Sequence, residues 1–236
     1  MNMSNSDNSC NTSTDASPND NETNGRDACP TTVPSDELDE RLVRHEWDQF
    51  QDTNNEGGRA ACQGNWPTFH QMRLSQFAAW PRPLAESYAR DLDDADRIGR
   101  NLITEKYGRM MASTFPDEFK RNIEPYIPRL SDTRIEAQEQ VIARQVAWAD
   151  DFRKRYPKLG AEMRVLTTAE DTRTATSFET YLRGELGTYS DATFDLYRRF
   201  IESLAARGEN LTETTIRNTV LLGGFSSLDE AESLQR

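Results

Sequence analysis

From residue 35 onward, apolar residues recur every three or four positions, the spacing of one face of an α-helix, and nowhere do they alternate as in a strand. Leu42, Val43, Trp47 and Phe50 form the first stripe, with Ser35 or Asp36 as its cap. Glycines at 57, 58 and 64 predict a loop over 52–66. Pro67 suits the first position of a second helix carrying Phe69, Met72, Phe77 and Trp80. Pro81 and Pro83 break that pattern. Leu84, Tyr88, Leu92 and Ala95 mark a third helix that Gly99 ends, and Asn101 caps a fourth with Leu102, Tyr107 and Met110. Prolines 116, 125 and 128 define a connector with at most short helices. A long helix from Ser131 to the residue before Pro157 turns Ile135, Ile142, Val146, Ala149 and Phe152 inward and is expected to act as the hinge between two halves. After a loop over 157–176 the plan resumes. Phe178, Tyr181, Leu182, Leu186 and Tyr189 share one helix, Ser190 caps another with Phe194, Tyr197, Ile201 and Leu204, and Gly208 with Asn210 repeats the stop and restart. Ser227 to Glu230 reads as a capping box for a last short helix.

The second half follows the first at a fixed offset of 109. Residues 68–111 laid without gaps on 177–220 pair Phe69 with Phe178, Tyr88 with Tyr197, Arg90 with Arg199, Gly99 with Gly208, Asn101 with Asn210 and Leu102 with Leu211. Conservative pairs such as Trp80 with Tyr189 and Leu92 with Ile201 fall in the same frame. This predicts an all-α fold, a closed bundle of two pseudo-repeated helical halves, about 40–113 and 131–223, within one domain over 36–236. Two repeats are too few for an open array.

Residues 1–35 carry no Leu, Ile, Phe, Trp or Tyr and are mostly Asn, Ser, Thr, Asp and Pro. Such a stretch has too little apolar surface to offset its ordering entropy, which predicts a disordered tail. No run is long and apolar enough for a membrane span or a signal peptide, so a soluble, cytoplasmic protein with no membrane partner is expected. The net charge is −12; the tail holds five acids and one arginine, leaving 35 acids against 27 bases in the rest. That balance disfavours nucleic acid. Three cysteines, Cys10, Cys29 and Cys62, give no zinc spacing and no disulfide framework.

Two segments carry candidate chemistry. In the loop, Gly57 and Gly58 let backbone approach a ligand, Asn55 adds polar contacts, Glu56 and Arg59 offer opposite charges, and Cys62 is a candidate nucleophile. A tight turn with an internal ion pair and an inert buried thiol is the plain alternative. In the helix after Ser177, Glu179 and Arg183 stand four apart as an expected surface pair. Glu185 sits at the edge of the stripe set by Tyr181 and Leu182, where partial burial would raise its pKa and suit it to acid–base work; its counterpart at the offset is Gln76. Glu46 and His45 invite a metal reading, but the chain has two histidines and no Glu-x-x-His, so no metal is assigned. No cofactor can be named from these residues.

Four blocks together, EWDQFQDTNNEGGRAACQ from Glu46, SQFAAW from Ser75, GRNLITEKYGRMM from Gly99 and TSFETYLRGELGTYS from Thr176, resemble the hallmark blocks of domain-of-unknown-function family 4125, known from bacteria and some fungi. The resemblance spans about Leu38 to Glu232. It implies no activity, and the low-complexity tail suggests a fungal protein, with a place in secondary-metabolite biosynthesis as the associated expectation. The functional expectation is an enzyme or binding protein for an anionic small molecule, at the junction of residues 54–63 with the start of the Ser177 helix. Positive helix ends near Thr68 and Ser177 would face the anion, and Arg59, Arg73 and Arg183 would be the cations, with Tyr181 beside them. The alternative is a helical module or accessory subunit that binds a protein partner and catalyses nothing.

Overall fold

The computed structural model describes residues 33–53 and 61–235, the side chains of residues 61 and 62 excepted. Residues 1–32 of the tail and the loop residues Asn55, Glu56, Gly57, Gly58 and Arg59, with the Cys62 side chain, lie outside the described residues.

Eleven α-helices and no strand occur among the described residues. The first half comprises α1 (Glu37–Gln51), α2 (Trp66–Phe77), α3 (Arg82–Arg97), α4 (Leu102–Thr114) and the short α5 (Pro116–Asn122). The second comprises α6 (Asp132–Arg155), α7 (Pro157–Ala161), α8 (Phe178–Leu186), α9 (Asp191–Ala206), α10 (Leu211–Leu222) and α11 (Leu228–Leu234). Every long helix except α3, which starts after Pro81 with no side-chain cap, begins at a side chain that accepts the orphan N–H groups of the first turn. Asp36 caps α1 with Asp39 returning the bond, while Asn65, Asn101, Ser131, Ser177, Ser190, Asn210 and Ser227 cap α2, α4, α6, α8, α9, α10 and α11. Gly99 and Gly208, at φ 73° and 70°, end α3 and α9 in the left-handed region that a side chain disfavours.

Several correspondences fall at the offset of 109. The bounds of α3 map onto those of α9, α4 and α10 begin at equivalent positions, and α2 and α8 end at equivalent ones. Asn101 donates from its amide to the Gln49 carbonyl at 2.6 Å, and Asn210 donates to the Trp148 carbonyl at 3.0 Å. Packing is exchanged between the halves: α4 lies on α8, α10 lies on α2, and α3 meets α9. At the centre, Trp80 and Tyr189 touch with centroids 6.1 Å apart, Tyr88 meets Tyr189 at 5.1 Å, and Trp80 meets Tyr197 at 5.9 Å. The last two contacts are the same pair of positions taken in opposite order.

The core runs through Leu42, Phe77, Leu84, Tyr88, Leu92, Ile142, Leu186, Tyr197 and Ile201. A second, smaller cluster joins Phe152, Leu159, Val220, Leu228 and Ala231. Three expectations change. Helix α2 stops at Phe77, so Trp80 belongs to the turn before α3, and Met72 is 50% exposed. Ile135 is also exposed, because the first turns of α6 turn Arg134 and Gln138 inward instead, where they donate to the Leu186 and Arg183 carbonyls. Helix α6 is no hinge: it packs on α8, α9 and α10 much as α1 packs on α2, α3 and α4.

Candidate functional site

Helices usually bury an apolar stripe, and here polar residues occupy its centre on four of them. On α2, Arg73 lies between Phe69 and Phe77 at four-residue steps; on α4, Lys106 lies between Leu102 and Met110. Glu46 follows Leu42 on α1, and Glu185 precedes Leu186 on α8. All four side chains are enclosed, between 0% and 8% exposed.

They form one network. Arg73 grips Glu46 in a two-pronged pair, through Nε and, at 2.6 Å, through Nη2. The Tyr88 hydroxyl donates to the same carboxylate at 2.7 Å. Glu185 receives Lys106 Nζ at 2.7 Å, Gln76 Nε2 at 2.7 Å and the Tyr189 hydroxyl at 3.1 Å. Between Arg73 and Glu185 the separations are longer, 3.3 to 3.4 Å, and Arg73 also donates to Gln76 Oε1 at 2.7 Å. Gln76 and Glu185 stand 109 positions apart and touch each other, an amide against an acid at the centre.

The expected rise of the Glu185 pKa does not occur. Burial alone would raise it, but Arg73 and Lys106 outweigh burial and hold the carboxyl well below the usual range. An acid kept ionised in this way is a weak base and no proton donor. Desolvation would lower Lys106, yet Glu185 lifts it above the ordinary lysine value. Burial, reinforced by Glu46 for Tyr88 and by Glu185 for Tyr189, pushes both phenols up, so they serve as fixed donors.

Tyr181 stands at the edge of the network, with Lys106 Nζ 3.9 Å and the Arg164 guanidinium 4.7 Å from its ring centroid. Arg183, one of the cations expected at the site, turns away: it binds Glu139 at 2.7 and 2.8 Å, Glu179 at 2.7 Å and the Thr168 hydroxyl. The start of α8 is also occupied by the chain itself. Asp171 accepts from the Ser177 N–H at 2.6 Å and from the Thr180 and Ser113 hydroxyls, while the carbonyls of Val165 and Leu166 take the next two N–H groups. A carboxylate already answers that positive end, so an outside anion has no free N–H there.

Of the residues read from the sequence, Arg73, Tyr181 and Glu185 come together, and Arg183 does not join them. Lys106, Gln76, Tyr88 and Tyr189 join them beyond the sequence expectation, although the position of Lys106 within an apolar stripe is a usable signal. Glu46 meets Arg73 and Tyr88, and among the described residues no group of His, Cys, Asp or Glu assembles to hold a metal.

A cleft of about 560 Å³ opens beside α1, between the end of α3 and the start of α4. His45, Asp48, Asp52, Asp96 and Arg100 line it, with His45 Nε2 2.7 Å from Asp96. Its carboxylates outnumber its cations, the opposite of what an anion requires.

The family described as Protein of unknown function (DUF4125) matches residues 36–233, most of the chain and all of the helices above but the last residue of α11. The chain belongs to that family. No curated protein and no solved structure matches it. Among the described residues, no helix is long and apolar enough to cross a membrane.

Proposed function

We propose that this DUF4125 chain binds or transforms a small anionic metabolite at the Arg73–Lys106 pair, and that Glu185 holds the place of the ligand's acidic group until it arrives. One observation carries the reading: two cations and two carboxylates are enclosed where four helices meet, a cost that apolar residues of the same size would avoid. The pairing is unequal. Glu46 and Arg73 are matched prong for prong, whereas Glu185 stands 3.3 Å or more from Arg73, the looser partner and the one to be displaced.

The offset-related helix ends, caps and aromatic contacts support an origin by duplication. On that view the halves kept their aromatic core and diverged at 72/181, 73/182 and 76/185, which places the distinctive charges beside the shared axis. The expected cytoplasmic location and the role in fungal secondary metabolism belong to this proposal as well. The interaction-module reading has less support, since the exposed large apolar residues, Met72, Ile98, Tyr126, Ile135, Leu222 and Leu234, are spread over different elements.

A thermal-shift screen of the full chain against carboxylated and phosphorylated metabolites tests the proposal. A ligand at 100 times its dissociation constant adds about 2.7 kcal/mol. A hit on the parent that is lost in Lys106→Met is the expected result; a complete absence of hits among anions would overturn it.

A further inference from the structure

Tyr181 has surroundings that no packing requirement explains. Its ring is approached by two cations from different parts of the chain, Lys106 on α4 and Arg164 on the segment leading to α8. That segment is fixed against α8 by the Phe178 N–H to Val165 carbonyl bond at 2.8 Å and the Glu179 N–H to Leu166 carbonyl bond at 3.1 Å. Arg164 is exposed and has no carboxylate partner among the described residues, so its charge is directed at the ring and at solvent. The charged groups around the phenol are Lys106, Arg164 and Arg73, against Glu185 on its own helix and Glu46 behind Arg73. Three cations against two carboxylates leave one positive charge in excess. Tyr181 is also partly exposed, unlike the enclosed Tyr88 and Tyr189. Its offset-related counterpart is Met72, so only one half carries the arrangement.

We propose that Tyr181 is the acid–base residue of this site, exchanging its phenolic proton with a substrate whose anionic group rests against Lys106 and Arg73. The proposal rests on the anion reading given above. In the forward direction the hydroxyl gives its proton to a basic atom of the substrate and becomes a phenolate beside Lys106; in reverse the phenolate takes a proton from the substrate. No oxidant or second reactant is needed. Burial would push the phenol up, but Lys106, assisted by Arg73 against the opposing charge of Glu185, brings it below the ordinary tyrosine value.

Tyrosinate absorbance of the ligand-free full chain, followed with rising pH, tests this directly. The chain has seven tyrosines. One of them should titrate before the rest in the parent, vanish from the curve in Tyr181→Phe, and titrate later in Arg164→Met, whose exposed position leaves folding intact. Lys106→Met should delay it further where that variant folds. An absence of early titration, or an early titration that survives in Tyr181→Phe, overturns the assignment. Adding succinate or inorganic phosphate separates the two readings, because an anion resting on the cations favours the neutral phenol and moves the midpoint up. If neither anion moves an early midpoint, the anionic-substrate reading falls and the acidity of Tyr181 stands. If titration is late while either anion binds, the anion reading stands and the acid–base assignment falls.

Discussion

Replacing Glu185 by glutamine keeps its volume and removes one charge from the network, leaving Arg73 and Lys106 facing Glu46 alone. The carboxylate now accepts Lys106 on Oε2, and Gln76 with Tyr189 on Oε1. A glutamine amide turned either way sets its NH₂ group against at least one of those donors. Breaking a buried ion pair from one side costs about 3–5 kcal/mol, and for a chain of this size each kcal/mol moves the melting point by roughly 2–4 °C. Glu185→Gln should therefore melt roughly 6–20 °C below the parent. The double variant Glu185→Leu with Lys106→Met removes a balanced pair and leaves Arg73 and Glu46 matched, so it should lose less, about 1–3 kcal/mol, from the Gln76 and Tyr189 donors left without an acceptor. Urea denaturation at neutral pH, followed by circular dichroism, measures both. A loss below about 1 kcal/mol in Glu185→Gln, or an equal loss in the two variants, would refute the reasoning.

Three further outcomes follow from local geometry. A side chain at Gly184 would place its Cβ 2.8 Å from both the Lys106 carbonyl and Met110 Cγ, so Gly184→Ala should cost about 1–3 kcal/mol by forcing α8 off α4; a melting point equal to the parent's would contradict the close contact. Burial opposes ionisation of Asp171, but its bonds from Ser113, Thr180 and Ser177 hold its carboxyl below the usual range, so its contribution is complete above the ordinary Asp pKa and fades as pH falls through the folded value. Asp171→Ala should thus lose about 1–2 kcal/mol at neutral pH, with the gap to the parent closing in acid, as melts across pH would record. Asp39 has the opposite sign: burial, with Asp36 and Glu40 nearby, raises its carboxyl, so its stabilising effect is complete below the ordinary Asp pKa and is lost as pH rises through the folded value. Asp39→Asn should be more stable than the parent at neutral pH and no more stable in acid; an advantage independent of pH would contradict this.

The helices were legible because their signals are local: caps at Asp36, Ser131, Ser190 and Asn210, stops at Gly99 and Gly208, and stripes at helical spacing. Met72 and Ile135 lie outside the core because apolar spacing does not show which face a neighbouring helix covers; on α6 that face carries the buried Arg134 and Gln138. At the site, Glu185, Arg73 and Tyr181 stood out by type and position. That Glu185 meets Lys106 depends on the crossing of α4 over α8, and nothing near Lys106 in the chain encodes it. Arg183 illustrates the converse. Its match to Glu179 four residues earlier was readable, but Glu139, 44 positions away, secures it on the outer side.

The most direct test of the central claim is a crystal structure of the full chain with an anion found by the thermal-shift screen. The account predicts the ligand's acidic oxygens within about 3 Å of Lys106 Nζ and the Arg73 guanidinium, with the Glu185 side chain turned out of the place it holds now. An anion bound elsewhere, with Glu185 still paired to Lys106, would show that the network serves the fold alone.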